Sequence, residues 1–379
     1  MGPLTGYKII EVSGIGPGPL AGMLLADLGA EVIRIDRFET EIPGPPSKLD
    51  ITGRNKKSIR LNLKSGKGKN IFFKLLDDAD ALIEGFRPGV MEKLGIGPAE
   101  CLKRNSKLIF GRITGWGQEG PLAKTAGHDI NYISLIGALN AIGGKDNKPT
   151  IPLNLVGDYA GGTMFLVLGI CSGLLSVQKT NKGQIVDAAM IDGVSSLMTI
   201  FNILSQSGMW DLEKRESNLF DGGTHFYNTY ETSDNKFISI GSLEAKFYKE
   251  LLEKLEIKDT QFNKQMSKDD WPELTVKLSQ IFKTKTQEEW NIIFEGSDAC
   301  YSPVLSLVEA QKHPHIKERN NFINVDGVTQ PAPAPRFSET KTGTPNPAPQ
   351  VGQDNNEILL NLGYNDDDIN EFLNNGIVK

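Results

Sequence analysis

The fold is decided by residues 8–36, which read KIIEVSGIGPGPLAGMLLADLGAEVIRID. A short apolar run at 8–13 ends in a turn made of glycine and proline at 14–19. From Pro19 to Gly29 the apolar residues follow helical spacing, and 32–36 is a second apolar run. A strand, a helix of this length and another strand predict a parallel βαβ unit.

The same alternation continues along the chain. Residues 67–77 have a helical pattern, and 81–84 and 108–113 are typical of buried strands. Repeated βαβ units predict an α/β fold with a doubly wound parallel sheet, whose ligand crevice lies beyond the carboxyl ends of the strands. Residues 162–177 and 186–205, rich in Ala, Leu, Ile and Met, are predicted to be helices.

The character of the chain changes after Gly222. A predicted strand pair, 226–231 and 236–240, flanks the turn residues 233–235, and amphipathic helices follow. We therefore expect a large domain over 1–205 and a smaller α+β domain over 222–325. Residues 326–379 are expected to form a segment that begins as a Pro-rich linker and ends in a helix.

Composition excludes several classes of protein. The 379 residues carry a formal charge of −6, which argues against nucleic acid or an anionic membrane as partner. The longest apolar run, 164–177, is shorter than the ~20 residues of a membrane span, so no stable membrane insertion is expected. The first residues lack a secretory leader pattern. Three cysteines fit neither a disulfide framework nor a zinc cluster, which predicts a cytoplasmic protein or one in another reducing compartment.

The glycine-rich turn at 14–19 is not a dinucleotide fingerprint. Pro19 occupies a position where that fingerprint needs glycine, and proline has no backbone N–H for a pyrophosphate. An NAD-dependent dehydrogenase is therefore disfavoured. The turn is either a tight connection or a place where a ligand approaches the backbone closely.

Several ordered motifs resemble those of the class III CoA-transferase (CaiB/BaiF) family, and within it the racemase branch is the most similar. They are residues 14–36, IEGFRPGV (83–90), GWGQEGP (115–121), GHDINY (127–132), GDYAGG (157–162) and VDAAM (186–190). The resemblance implies a Rossmann-like large domain, a small domain and a C-terminal segment that returns to the large one. It also implies an interlocked homodimer that binds an acyl-CoA thioester.

For the racemase branch, the implied reaction inverts the α-carbon of 2-methylacyl-CoA thioesters. Loss of the α-proton leaves a planar enolate, so inversion needs one proton-transfer group on each face. His128 and Asp158 match the motif positions of that pair. Taken alone, each residue is better explained structurally, His128 as a helix-capping or core residue and Asp158 as an acid stabilised by a helix N-terminus.

Other matching positions complete the expected site. The resemblance implies that Glu244 orients the catalytic histidine. It also implies that Ile15, Gly16, Asn154 and Tyr227 line the substrate pocket.

Coenzyme A carries phosphates, which need cations in an acidic protein. Arg37, Arg87 and Lys93 match family positions around the adenine and phosphates, and Lys56 belongs to a basic cluster at 53–60. Ordinary solvated charge is the alternative for that cluster. No residues have metal-ligand spacing, so neither a metal nor a cofactor is expected, coenzyme A being part of the substrate.

Two other functions remain open at this point. A class III CoA-transferase would use Asp158 as a nucleophile and form a mixed anhydride, without needing His128. A non-catalytic acyl-CoA-binding protein would need the arginines alone. The identity of the acyl chain is left open.

Overall fold

A six-stranded parallel sheet forms the centre of the first compact unit. The computed structural model describes residues 2–38 and 47–379. The strands are β1 (Lys8–Val12), β2 (Glu31–Asp36), β3 (Lys56–Arg60), β4 (Ala81–Glu84), β5 (Ile109–Thr114) and β6 (Gln184–Ala189). Their order is β3-β2-β1-β4-β5-β6, and every neighbouring pair is parallel. The predicted doubly wound α/β sheet is confirmed, with its switch point between β1 and β4.

Helices cover both faces of this sheet. They are α1 (Pro17–Asp27), α2 (Gly66–Leu76), α3 (Val90–Leu94), α4 (Pro98–Arg104), α5 (Asp129–Leu135), α6 (Met164–Thr180) and α7 (Met190–Leu197). Ile9 and Ile10 are fully buried in different hydrophobic clusters, because successive strand residues point to opposite faces. The cluster around Ile9 includes residues of α1 and α6, and the cluster around Ile10 includes residues of α2 and α4.

Two strands correct the sequence interpretation. Residues 186–189 were expected to begin a helix but belong to β6, which pairs with β5. Residues 56–60, part of the basic cluster at 53–60, form β3, the neighbour of β2, and this strand was not anticipated from the sequence. In both segments the strand is determined by pairing with a distant part of the chain, which local propensity does not encode.

The apolar segment 164–177 is part of a longer helical stretch. A π-helix (Leu155–Thr163) continues directly into α6, so the helical residues run without a break to Thr180. By length and composition alone, these 26 residues could cross a membrane. Leu166, Ile170 and Leu174 are nevertheless buried in the core beside the sheet, as in a core helix.

The second compact unit has its own core. Its antiparallel sheet has the order β7 (Tyr227–Glu231), β8 (Phe237–Gly241), β9 (Tyr301–Val304). Its helices are α8 (Thr199–Gln206), α9 (Ala245–Lys254), α10 (Trp271–Phe282), α11 (Gln287–Phe294), α12 (Leu307–Ala310) and α13 (Pro314–Glu318). The predicted strand pair is β7 and β8, in antiparallel register from Tyr227↔Gly241 to Glu231↔Phe237.

The C-terminal segment packs with the first unit. It contains the hairpin β10 (Phe322–Val325) and β11 (Val328–Pro331), followed by α14 (Asn355–Asn361) and α15 (Asp366–Asn374). Leu359 and Phe372 join the core cluster of the parallel sheet, and the Asp354 carboxylate accepts a hydrogen bond from the Ser58 amide at 2.7 Å. These contacts attach the end of the chain to edge strand β3.

The boundaries of the two units differ from those expected. The first unit comprises 1–136, 153–197 and 320–379, and the second comprises 137–152 and 198–319. Residues 137–152 and 198–205 therefore belong to the second unit instead of the large domain. The polypeptide passes between the units several times, which a division into consecutive ranges does not anticipate.

Candidate active site

A cavity of about 460 Å³ lies at the carboxyl ends of the central strands. Val12 at the end of β1, Ile83 in β4 and Thr114 at the end of β5 contribute to its wall. Ligands of doubly wound sheets bind at this edge, where the strand order reverses. The position of the cavity therefore follows from the topology of the sheet.

The glycine-rich turn forms one wall of this cavity. Gly16 has φ of 74°, a left-handed conformation that favours glycine, and Pro17 begins α1 directly after it. A Cβ atom at Gly16 would lie 3.5 Å from Asp158 Oδ2, so the backbone closely approaches that carboxylate. Ile15 is 74% exposed beside it. The turn thus lies beside Asp158 at the cavity, and the close approach of a ligand to its backbone stays a prediction.

His128 lies at the start of α5, beside the same cavity. Its backbone N–H donates to Asn131 Oδ1 at 3.0 Å, and its exposed side chain lines the cavity. The preceding loop is held by Tyr132, whose hydroxyl donates to the Gly127 carbonyl. The Tyr132 ring also packs edge-on against Trp116 at 4.8 Å between ring centroids. The backbone at His128 is thus fixed by contacts on both sides.

Asp158 lies on the π-helix that precedes α6, and its side chain lines the same cavity. Its Oδ2 accepts a hydrogen bond from Asn154 Nδ2 at 3.2 Å. Burial raises the pKa of this carboxyl above its ordinary value, and the neighbouring charge of Asp129 acts in the same direction. The Asn154 hydrogen bond and the charge of His128 oppose that rise. A carboxyl in this environment keeps its proton to a higher pH than an exposed aspartate does, which suits a group that must both accept and donate a proton.

Two arginines provide positive charge at the same cavity. Arg37 follows β2, Arg87 follows β4, and both side chains are exposed. Arg37 also contributes to a second cavity of about 190 Å³, which Asp36, Phe38 and Leu61 help to line. The two cavities share wall residues and are therefore neighbours.

Lys56 corrects the set of expected phosphate-binding cations. Its side chain is fully buried, and Nζ donates to Glu11 Oε2 at 2.6 Å and to the Pro19 carbonyl at 2.8 Å. Burial lowers the pKa of Lys56 and raises that of Glu11, as expected for a pair that has lost its water. An ammonium enclosed in this way does not reach a ligand. The sequence interpretation of Lys56 as a coenzyme A contact is therefore wrong.

The remaining predicted site residues are in different surroundings. Asn154 is exposed and contacts Asp158. Lys93 is exposed on α3 and lines neither of the two cavities. Glu244, at the N-terminus of α9, and Tyr227, on β7, belong to the second unit. The roles of Lys93, Glu244 and Tyr227 stay predictions.

Three residues of the site were not singled out from the sequence. Trp116 and Tyr132 line the cavity and support the His128 loop, and Asp129 contacts the backbone of the π-helix. Burial raises the pKa of Tyr132 to about 12, so its hydroxyl stays protonated at neutral pH. Asp129 and Tyr132 both fall within the GHDINY motif, which was the only available signal for them.

Sequence comparisons find related proteins over nearly the whole length of the chain. The model of CoA-transferase family III matches residues 4–355. The chain is 39% identical to the α-methylacyl-CoA racemase of Homo sapiens, over 99% of this chain and 97% of the relative. It is 28% identical to the succinyl-CoA:glutarate CoA-transferase of Homo sapiens, over 99% and 90% of the two chains.

A solved structure extends the comparison to the fold. A CAIB/BAIF family protein from Brucella suis superposes with a TM-score of 0.82 at 25% identity, covering 95% of this chain and 99% of its own. The family model spans most of the chain, and the sequence motifs lie around one cavity. The chain therefore belongs to CoA-transferase family III.

Proposed function

We propose that this protein is an isomerase that racemises 2-methylacyl-CoA thioesters at the α-carbon. The observation that carries the proposal is the placement of His128 and Asp158 around one cavity at the carboxyl edge of the sheet. The 39% identity to α-methylacyl-CoA racemase over nearly the full chain supports it. A transferase needs only the carboxylate, whereas a second proton-transfer group is what inversion requires.

The proposed reaction moves one proton in each of two steps. The group facing the α-hydrogen removes it as a proton, and the C–H electron pair becomes the enolate. The group on the opposite face then donates a proton to the α-carbon, and the enolate electrons form the new C–H bond. The roles of His128 and Asp158 exchange in the reverse direction, so each must serve as acid and as base.

Coenzyme A is proposed to extend along the two neighbouring cavities. The thioester occupies the larger one, between His128 and Asp158, and the nucleotide end occupies the smaller one. Arg37 lines both cavities and Arg87 the larger one, which supports a role for both guanidinium groups in binding the phosphates. Two side chains are sufficient to move the proton, so we propose no metal and no cofactor apart from the coenzyme A of the substrate.

We also propose that the protein is a homodimer. On α6, Met164, Leu168 and Leu175 follow helical spacing and are 54%, 61% and 62% exposed. Monomeric proteins rarely leave such apolar stripes uncovered, which supports burial against a second copy. Sedimentation equilibrium should find a species of twice the 41.5 kDa chain mass, and a monomer at micromolar concentration would contradict the proposal.

Cysteine chemistry supports a reducing compartment such as the cytoplasm. Cys101, Cys171 and Cys300 are all free thiols, and Cys300 is exposed. Exposed free thiols are rare in proteins that work in oxidising compartments. We therefore propose that the protein acts where thiols are kept reduced.

The reaction is tested by incubating the protein with one enantiomer of a 2-methylacyl-CoA in D2O and following the α-carbon by NMR. We expect deuterium at the α-carbon and formation of the opposite enantiomer at the same time. Acyl-CoA formation from an added carboxylic acid, without α-deuteration, would instead show a transferase that uses Asp158 as nucleophile. Binding without either reaction would show an acyl-CoA-binding protein.

A further inference from the structure

The buried carboxylate of Asp129 connects the two residues proposed to transfer the proton. Asp129 directly follows His128 in the chain and is only 5% exposed. Its Oδ2 accepts hydrogen bonds from the backbone N–H groups of Gly157 at 2.6 Å and Asp158 at 2.8 Å. The Asp129 side chain thus holds the backbone at Gly157 and Asp158.

This carboxylate is more than an ordinary helix cap. In the described part of the chain its second oxygen, Oδ1, is buried without a hydrogen-bond partner. A solvated acid at the same helix end would provide the same favourable charge without the cost of removing a carboxylate from water. The close fit also constrains Gly157, where a Cβ atom would lie 2.7 Å from Asp129 Oδ2. A costly arrangement of this kind at the site suggests that the arrangement serves the reaction.

We propose that Asp129 is a positioning residue that holds Asp158 in the cavity that His128 also lines. This inference rests on the proposed racemase function. Asp129 does not line the cavity, so it acts through its neighbours and not on the substrate.

The charges around Asp158 come from a small set of groups. Burial raises its pKa most, and Asp129 adds to the rise. His128, also at the start of α5, and the Asn154 amide, directly before the π-helix, lower it. Removing the charge of Asp129 therefore lowers the pKa of Asp158, and the acid limb of the rate profile should move to lower pH. The measured limb belongs to the coupled pair of Asp158 and His128.

The test compares Asp129→Asn and Asp129→Ala with wild type, and Asp367→Asn is the matched control. Asn retains an oxygen that can accept both backbone hydrogen bonds, whereas Ala removes both. Asp367 is an exposed acid on α15, so its neutralisation controls for loss of one negative charge. Each protein is assayed for kcat, KM and the pH dependence of kcat in both directions, and its folded fraction is measured by circular dichroism.

We expect Asp129→Ala to lower kcat by ~10²-fold with little change in KM, because the reacting carboxylate is displaced relative to the α-carbon. We expect Asp129→Asn to lose about 10-fold or less and to shift the acid limb to lower pH. An Asn variant with wild-type kcat and an unmoved acid limb would overturn the inference. Activity that falls only in proportion to the folded fraction would also overturn it.

Assays of the wild-type protein distinguish a failure of the Asp129 positioning role from a failure of the proposed racemase function. If wild type exchanges and inverts the α-carbon while the Asp129 variants behave the same, only the positioning role fails. If wild type neither exchanges nor inverts, the proposed function fails, and the role of Asp129 in it fails too.

Discussion

Asp158→Asn is expected to reduce inversion strongly while leaving deuterium exchange for only one of the two substrate enantiomers. With the carboxylate replaced by an amide, His128 still removes the α-proton that points toward it and returns a deuteron from D2O to the same face. The other enantiomer presents its α-proton to the substituted amide, which is not a base. Inversion should fall by ~10²–10⁴-fold, the typical contribution of a positioned acid or base.

His128→Ala should show the reciprocal pattern. The enantiomer that exchanges in Asp158→Asn should stop exchanging, and the other should exchange with retention of configuration. The double variant should lose exchange for both enantiomers. Its loss of inversion should be smaller than the product of the two single losses, because the two residues act as a unit. The measurement is the α-proton signal of each pure enantiomer in D2O, with Asp367→Asn as control.

Loss of exchange for both enantiomers in either single variant would contradict a two-base mechanism. That outcome would indicate that one residue handles the proton on both faces. Transfer of coenzyme A to an added acid, lost in Asp158→Asn and retained in His128→Ala, would favour the transferase alternative.

Lys56→Met is expected to reduce stability by about 3–5 kcal/mol, because it leaves the Glu11 carboxylate buried without its partner. Lys56 and Glu11 are 0% and 1% exposed and form an ion pair of 2.6 Å between β3 and β1. Glu11 Oε1 already lacks a hydrogen-bond partner among the described residues. Loss of the Lys56 ammonium would therefore leave the whole carboxylate without a side-chain donor. The measurement is the free energy of unfolding from urea denaturation.

Two comparisons make this prediction specific. Lys57→Met removes a partly exposed lysine from the same strand and should cost ~1 kcal/mol or less. The double variant Glu11→Leu with Lys56→Met should recover much of the loss, since an apolar pair replaces the ion pair. If Lys56→Met and Lys57→Met had the same free energy of unfolding, the predicted cost of leaving the Glu11 carboxylate buried without its partner would be contradicted.

The same variant distinguishes a structural lysine from a coenzyme A contact. Folded Lys56→Met should have a KM for acyl-CoA close to that of wild type. Arg87→Ala should instead raise KM by about 10-fold or more, with stability little changed, because an exposed charged hydrogen-bond donor at the cavity is lost. A raised KM in folded Lys56→Met would restore that residue to the binding site.

Much of the fold could be predicted from local pattern. The βαβ unit at 8–36, the strand at 81–84 and the pair β7 and β8 have the expected periodicity, and each is present. β3 and β6 could not be predicted in this way. Lys56 is a poor candidate for a buried strand until Glu11 is placed beside it, 45 residues away in sequence. β6 requires β5 as its neighbour, and nothing in 184–189 encodes that pairing.

The candidate site, like the fold, could be predicted only in part from the sequence. His128, Asp158, Ile15, Gly16, Arg37 and Arg87 were selected by motif, and the structure brings all six around one cavity. The motif did not indicate how Asp158 is held. The contact of Asp129 with the Asp158 amide joins residues 29 positions apart, and it exists only because α5 and the π-helix pack together.

By itself, the sequence determined the class of fold, the family and the residue types available for chemistry, because periodicity and motif order are local properties of the chain. The tertiary structure alone decided which charged side chains line the cavity and which are buried in ion pairs in the core. Arg37 and Lys56 have similar charge in sequence, but one is exposed at the cavity and the other is enclosed with Glu11. The physical reason is desolvation: the behaviour of an ionisable group depends on the water and partners around it, and those are determined only when distant segments pack together.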